Sequence, residues 1–212
     1  MLDILEKTEE IHKYLRQKGN FFCVPYKLDD LVDAFHAKTA VDEIEFIEIT
    51  AENINGGHPV LAWIDTYDRS PAPYAPPITT AQIHYVSELD VKFKRVIICK
   101  ELSHLLWHDP RVQVENSGQL LELAEALTLP TASTEMLAGH PQLMSEKMAM
   151  LIALDLLCPF SFREALLENY QNGHLSNSEI SDDFLIPETY IALLFDRQTH
   201  EVFKSLRSAV FG

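Results

Sequence analysis

The stretch that decides the fold is KRVIICKELSHLLWH, residues 94–108. Its large apolar residues recur at helical spacing from Ile98 to Leu106, so one side of the stretch is apolar. This pattern predicts a helix that can run to His108, where Asp109 and Pro110 would end it.

Three residues inside this helix have the spacing of a metallopeptidase motif. In an H-E-x-x-H helix, two His four positions apart bind one zinc ion, and the Glu takes a proton from the metal-bound water. Glu101 and His104 stand at the second and fifth positions of such a motif, but Lys100 stands at the first. A protonated Lys has donors and no lone pair, so it cannot ligate zinc. The first metal ligand of the motif is therefore missing.

Two segments, Ile83–His108 and Glu146–Pro159, resemble the ImmA/IrrE family of metallopeptidases. That family has a strand followed by A-H-E-L-G-H-L-L-L-H, and then a helix of the form E-x-x-A-N-x-F-A-x-x-L-L-M-P whose Glu is the third zinc ligand. The second segment reads EKMAMLIALDLLCP, so its Glu, both Ala, the Leu-Leu pair and the Pro match in register. The resemblance implies a zincin-like metallopeptidase core, in which His104 and Glu146 are metal ligands and Glu101 is the base.

The chain departs from the family pattern at three positions. Lys100 replaces the first ligand, Ser103 replaces the helix Gly, and Met150 replaces the Asn near the third ligand. We therefore expect zinc binding in the ordinary manner to be lost and no cofactor to be held. The two remaining ligands and the base become vestigial, with low metal occupancy.

Lys100 is expected to take the place of the metal. Without a dication, Glu101 and Glu146 would face each other, which raises the pKa of one carboxyl or separates the two. Lys100 supplies one positive charge and three donors at that position. His108 lies one turn beyond His104 on the same face, and we expect it at the edge of the cleft.

The rest of the chain predicts an α+β fold in which a small three-stranded sheet packs under helices. Helices are expected at 2–18, 28–35, 120–127, 144–157 and 162–170, and two more are expected to begin near Glu188 and Glu201. Strands are expected at 44–49, 60–64 and 82–86. The first two strands are expected to pair with each other across a turn at 55–57. We expect a core at 1–160 with an insertion at 111–143 over the cleft, and a helical C-terminal segment at 161–212.

Charge and composition limit the partners. The net charge is −15 and the acidic residues are spread along the chain, whereas a nucleic-acid surface needs clustered Lys and Arg. The N-terminus is acidic where a secretory signal would be basic. No apolar stretch approaches the roughly 20 residues of a membrane span, and three widely spaced cysteines are expected to be buried apolar residues. We expect a cytoplasmic protein that contacts neither membrane nor nucleic acid directly.

The leading functional hypothesis is a catalytically impaired ImmA/IrrE-like pseudo-peptidase that acts in regulation by binding a protein. Relatives with intact motifs cleave repressor-type transcription regulators, often encoded in phages or mobile elements, so the resemblance implies a partner of that kind. The alternative is a zinc-dependent hydrolase with altered ligands, His104, His108 and Glu146, and with Glu101 as the base. His104 and His108 have the spacing of a helical metal pair, although Glu101 then lies on the wrong side of the first ligand. A purely structural domain of a larger assembly is a third possibility.

Overall fold

The computed structural model describes residues 2–19, 25–50, 61–106 and 141–211. The elements in these ranges are α1 (Leu2–Gln17), α2 (Leu28–Lys38), β1 (Glu43–Ile49), β2 (Ala62–Arg69), β3 (Ile78–Val86), α3 (Val91–Ser103), a 3₁₀ turn (His104–Leu106), α4 (Pro141–Leu157), α5 (Phe160–Gln171), α6 (Asn177–Phe184), α7 (Glu188–Leu194) and α8 (Arg197–Phe211). The expected α+β class, with one small sheet and many helices, is confirmed. In the described part of the chain, no helix combines the length and apolar character needed to cross a bilayer.

The sheet has the strand order β1-β3-β2 and is mixed. At the level of Ile83, β3 pairs in parallel with Phe46 of β1 and antiparallel with Ile64 of β2. The prediction that β1 and β2 pair with each other is therefore wrong. The physical reason is that β3 buries side chains on both of its faces. Thr80 and Val86 are buried on one face, and Ile83 is buried on the other. Such a strand takes the central position, where both of its edges form hydrogen bonds.

Helix α3 lies at the centre of the described fold. Asp90 caps its N-terminus, because the Asp90 side chain accepts hydrogen bonds from two backbone N–H groups of the first turn, at 2.9 and 3.2 Å. From Arg95 to Ser103 every residue except Lys100 is buried. The α-helical conformation ends at Ser103 and continues as the 3₁₀ turn to Leu106, so the helix is shorter than expected, and His108 lies outside the described residues.

The C-terminal half differs from expectation in two places. Helix α4 begins at Pro141, so the last residues of the insertion expected at 111–143 are helical, and the helix expected at 120–127 lies outside the described residues. Helix α6 was not expected as a separate element. Its signal in the sequence is a capping box, in which Ser176 and Glu179 bond to each other's backbone N–H groups.

One buried apolar cluster connects most of the described elements. It includes Leu15 of α1, Leu102 of α3 and Ile191 of α7. The cluster thus draws side chains from both the expected core at 1–160 and the expected C-terminal segment at 161–212. The two cysteines in the described part of the chain are buried free thiols, as expected.

A network of charged side chains is also buried in the helical part of the core. Asp155 of α4 pairs with Arg163 of α5, while its Oδ2 lies 3.4 Å from His12 Nε2 and 3.6 Å from Arg207 Nη1. Burial alone would raise the pKa of Asp155, but the hydrogen bond with His12 and the charge of Arg163 lower that pKa to about 2. The network therefore connects α1, α4, α5 and α8 through one carboxylate.

Asp155→Asn is expected to lower the free energy of unfolding by about 3–5 kcal/mol at neutral pH, because Arg163 would stay buried without its carboxylate. The folded pKa of Asp155 lies below its ordinary value of 3.8, so its stabilisation is present above that value and is lost as the pH falls toward about 2. The stability difference between parent and variant should therefore shrink over that range. Urea unfolding followed by circular dichroism measures it.

The matched control is Asp182→Asn. Asp182 pairs with Lys92 at 2.6 Å on the surface, where ion pairs contribute about 0–1 kcal/mol. If Asp155→Asn lowers the free energy of unfolding no more than Asp182→Asn does, the network does not stabilise the fold as described.

Candidate functional site

The side chains of Lys100, Glu101, His104 and Glu146 lie together where α3 meets α4. Lys100 Nζ is 2.6 Å from Glu146 Oε2 and 2.8 Å from Glu101 Oε1. His104 Nε2 is 3.2 Å from the other oxygen of Glu146, Oε1. The four residues that sequence analysis grouped on the family pattern thus form one cluster of mutual contacts, which we call the Lys100 cluster.

Small side chains allow α3 and α4 to approach closely enough for these contacts. Ala149 and Ala153 of α4 are fully buried, and Cys99 Sγ of α3 lies 3.8 Å from the backbone oxygen of Ala153. Ser103, at the family's Gly position, is also buried and donates a hydrogen bond to the backbone oxygen of Cys99 at 2.7 Å. The Ser103 hydroxyl is therefore satisfied within its own helix.

The charges of the Lys100 cluster stabilise each other. Burial alone would lower the pKa of Lys100, but the charges of Glu101 and Glu146 raise it above its ordinary value. Burial would likewise raise the pKa of Glu146, but the hydrogen bond with His104 and the charge of Lys100 lower it to about 2. Lys100 therefore stays an ammonium and Glu146 stays a carboxylate across the neutral pH range.

The residues of the cluster do not fit a zinc ion held in the ordinary manner. Catalytic zinc takes three lone-pair donors at roughly 2.0–2.3 Å, whereas the ammonium of Lys100 stands within hydrogen-bond distance of both carboxylates. Across residues 2–19, 25–50, 61–106 and 141–211, no group of three or more His, Cys, Asp or Glu side chains is arranged to hold a metal ion. Two carboxylates are instead bridged by a cation that belongs to the chain.

Asp155 and Arg95 are two of the buried charged residues that the sequence pattern did not single out. Asp155 could have been noticed, because it is a lone carboxylate in an otherwise apolar helix segment, but its partners come from three other helices. Arg95 of α3 is also buried, and its Nε and Nη2 have no hydrogen-bond partner among the described residues. Burial lowers the pKa of Arg95. The expected cleft residue His108 lies outside the described residues.

No protein-family profile matches this chain, and neither a curated protein nor a solved structure matches it at a significant level. The resemblance to ImmA/IrrE metallopeptidases stays a prediction from the two helical motifs.

Lys100→Met is expected to lower the free energy of unfolding at neutral pH by about 3–5 kcal/mol, because Glu101 and Glu146 would face each other without a cation. Adding Glu146→Gln to this variant should recover part of the loss, since it removes one of the two like charges. Urea unfolding of the parent, the two single variants and the double variant gives the coupling energy between the two positions.

Lys147→Met serves as the control, because it removes a Lys from the same helix as Glu146 without touching the pair. The account of the cluster fails if the losses of the two single variants simply add in the double variant. It also fails if Lys100→Met is no less stable than Lys147→Met.

Proposed function

We propose that this chain is a metal-independent relative of the ImmA/IrrE metallopeptidases that acts by binding another protein without cleaving it. The observation that carries the proposal is the position of Lys100 Nζ, at 2.8 Å from Glu101 and 2.6 Å from Glu146. On the family pattern these carboxylates are the base and the third ligand of a zinc centre. An ammonium ion between them supplies positive charge and leaves no ligand position free.

The arrangement favours loss of peptide hydrolysis for a chemical reason. In a zinc peptidase the metal lowers the pKa of its bound water from 15.7 to about 7, and the Glu then removes the proton. Lys100 offers no empty orbital to polarise a water molecule. Glu101 is only 3% exposed and is engaged by Lys100, so it is poorly placed to meet a substrate. The same residues that would catalyse hydrolysis thus serve as a buried ion pair.

The proposed activity is therefore binding, and the proposed partner is a protein. The net charge of −15 opposes direct contact with nucleic acid and favours basic or neutral protein surfaces. Family members with intact motifs cleave repressor-type transcription regulators, and by that analogy a phage or mobile-element regulator of this class is the proposed partner. Family likeness alone selects this partner class, because fold does not determine function.

The geometry gives less support to a zinc hydrolase built on His104, His108 and Glu146. That site needs two His on one face of a continuing α-helix, but the α-helix ends at Ser103 and a 3₁₀ turn with about three residues per turn follows. His104 already contacts Glu146 directly, at 3.2 Å. His108 itself lies outside the described residues.

The purified protein is expected to cleave neither casein nor a repressor-type regulator encoded beside its own gene, with or without added zinc or manganese. With the regulator, size-exclusion chromatography should show a complex in which both chains remain intact. Gel electrophoresis over a long incubation reports cleavage, and Glu101→Gln is the control. Metal-dependent cleavage that Glu101→Gln abolishes would refute the proposal in favour of the enzyme, while absence of both cleavage and complex would refute the proposed partner class.

A further inference from the structure

The sheet face opposite α3 carries a row of exposed side chains on β2. Side chains alternate along a strand, and α3 packs on the face that bears Ile83, whose partner in β2 is Ile64. Trp63, Asp65 and Tyr67 therefore lie on the other face. We call these three residues the β2 strip, and it is separated from the Lys100 cluster by the sheet itself.

The indole ring of Trp63 is held in place by its neighbours while part of it stays exposed to solvent. One face of Trp63 stacks on His84 of β3, with ring centroids 4.6 Å apart and planes 7° from parallel. The indole Nε1 donates a hydrogen bond to Asp65 Oδ2 at 3.0 Å, and His84 Nε2 lies 3.4 Å from the same oxygen. These contacts fix the Trp63 ring beside a carboxylate.

All three members of the β2 strip are accessible. Trp63 is 36% exposed and Tyr67 is 39% exposed, and the Asp65 side chain is 60% exposed. Large aromatic side chains that stay exposed next to a carboxylate are a common feature of sites that bind cations, because the ring face and the carboxylate both attract positive charge. The strip therefore has the composition of a site for an ammonium or guanidinium group.

The surrounding charges favour the same ligand. The strands of this face also carry Glu43, Glu45 and Arg69. Arg69 pairs with Glu43 and lies 3.7 Å from Glu45, so the one guanidinium among them is committed to the β1 carboxylates. Asp65 accepts the indole hydrogen bond on Oδ2, the oxygen that His84 Nε2 also approaches, and its 60% exposed side chain stays accessible to an incoming cation.

We infer that the β2 strip binds Lys or Arg side chains of a basic segment in a partner protein. Trp63 and Tyr67 offer ring faces to these cations at two points along the strand, and Asp65 between them forms an ion pair. Charge complementarity selects this occupant, since an acidic or an uncharged apolar segment would meet a carboxylate and an acidic surface. The inference goes beyond the proposed function, because it needs neither the family likeness nor the Lys100 cluster.

The test uses an acetylated, amidated octapeptide of alternating Arg and Ser, with an alternating Glu and Ser octapeptide as its opposite. Two-dimensional ¹⁵N NMR of the full chain follows the titration, and the indole signal of Trp63 is assigned from its loss in Trp63→Phe. The basic peptide is expected to shift this signal in a saturable manner that weakens as salt is added. The acidic peptide is expected to leave it unchanged.

Variants of the strip separate local recognition from the general effect of net charge. Asp65→Asn and Trp63→Leu should each weaken binding of the basic peptide by about threefold or more. Asp65→Lys should transfer the preference to the acidic peptide. The controls are Glu164→Gln, an exposed carboxylate on α5, and Tyr74→Ala, an exposed aromatic residue between β2 and β3; neither should change the affinity.

Three results would overturn the inference. The first is the absence of a saturable shift of the Trp63 signal at millimolar peptide. The second is equal weakening by Asp65→Asn and Glu164→Gln, which would show that net charge alone attracts the peptide. The third is equal binding of the acidic and basic peptides.

Discussion

The structure depends on the need to neutralise charge inside α3. This helix is buried on nearly every side, and yet it carries Lys100 and Glu101 in succession where apolar residues would be expected. An unpaired charge in such surroundings costs far more free energy than a surface charge. Glu146 of α4 supplies the second carboxylate, and His104 contacts it from the 3₁₀ turn. The position and orientation of α4 against α3 are thus coupled to one cluster of charges.

The same requirement recurs further along α4. Asp155 is as buried as its apolar neighbours, and the side chains that contact its carboxylate are His12 of the N-terminal helix and Arg163 and Arg207 of two C-terminal helices. One face of α4 therefore contacts α3 through the Lys100 cluster. Another face of α4 contacts the flanking helices through the buried network around Asp155. Buried ion pairs of this kind add little stability over well-packed apolar residues, but they strongly penalise arrangements that separate the partners. We infer that they select a single packing of α4, which is apolar from Met148 to Leu157 apart from Asp155 and would otherwise allow several packings.

The sequence predicts those features of this structure that depend on residues close together in the chain, and it does not predict contacts between distant residues. Helical periodicity is local, so α1, α2, α4 and α5 were expected within a few residues of their observed bounds, and α6 could have been found from its capping box at Ser176. Strand pairing is not local, and the expected β1–β2 pair is replaced by pairing of both strands with β3. The Lys100 cluster could be anticipated only because the family pattern supplied the distant Glu146. No family pattern indicates the partners of Asp155 or the stacking of Trp63 on His84. Both contacts are between residues far apart in the sequence, which helical or strand periodicity cannot relate.

The central claim is that the ammonium of Lys100 stands where a metal ion would otherwise be held, and calorimetric titration of zinc tests it most directly. The parent protein is predicted to bind no stoichiometric zinc. Lys100→His adds the missing lone pair beside His104 and Glu146, which completes three protein ligands, and is predicted to bind one zinc per chain. The affinity should be about 10–100-fold weaker than in a site with intact surroundings, because Ser103 and Met150 differ from the family pattern. Stoichiometric zinc in the parent, or a Lys100→His variant that binds zinc no better than the parent, would contradict the account.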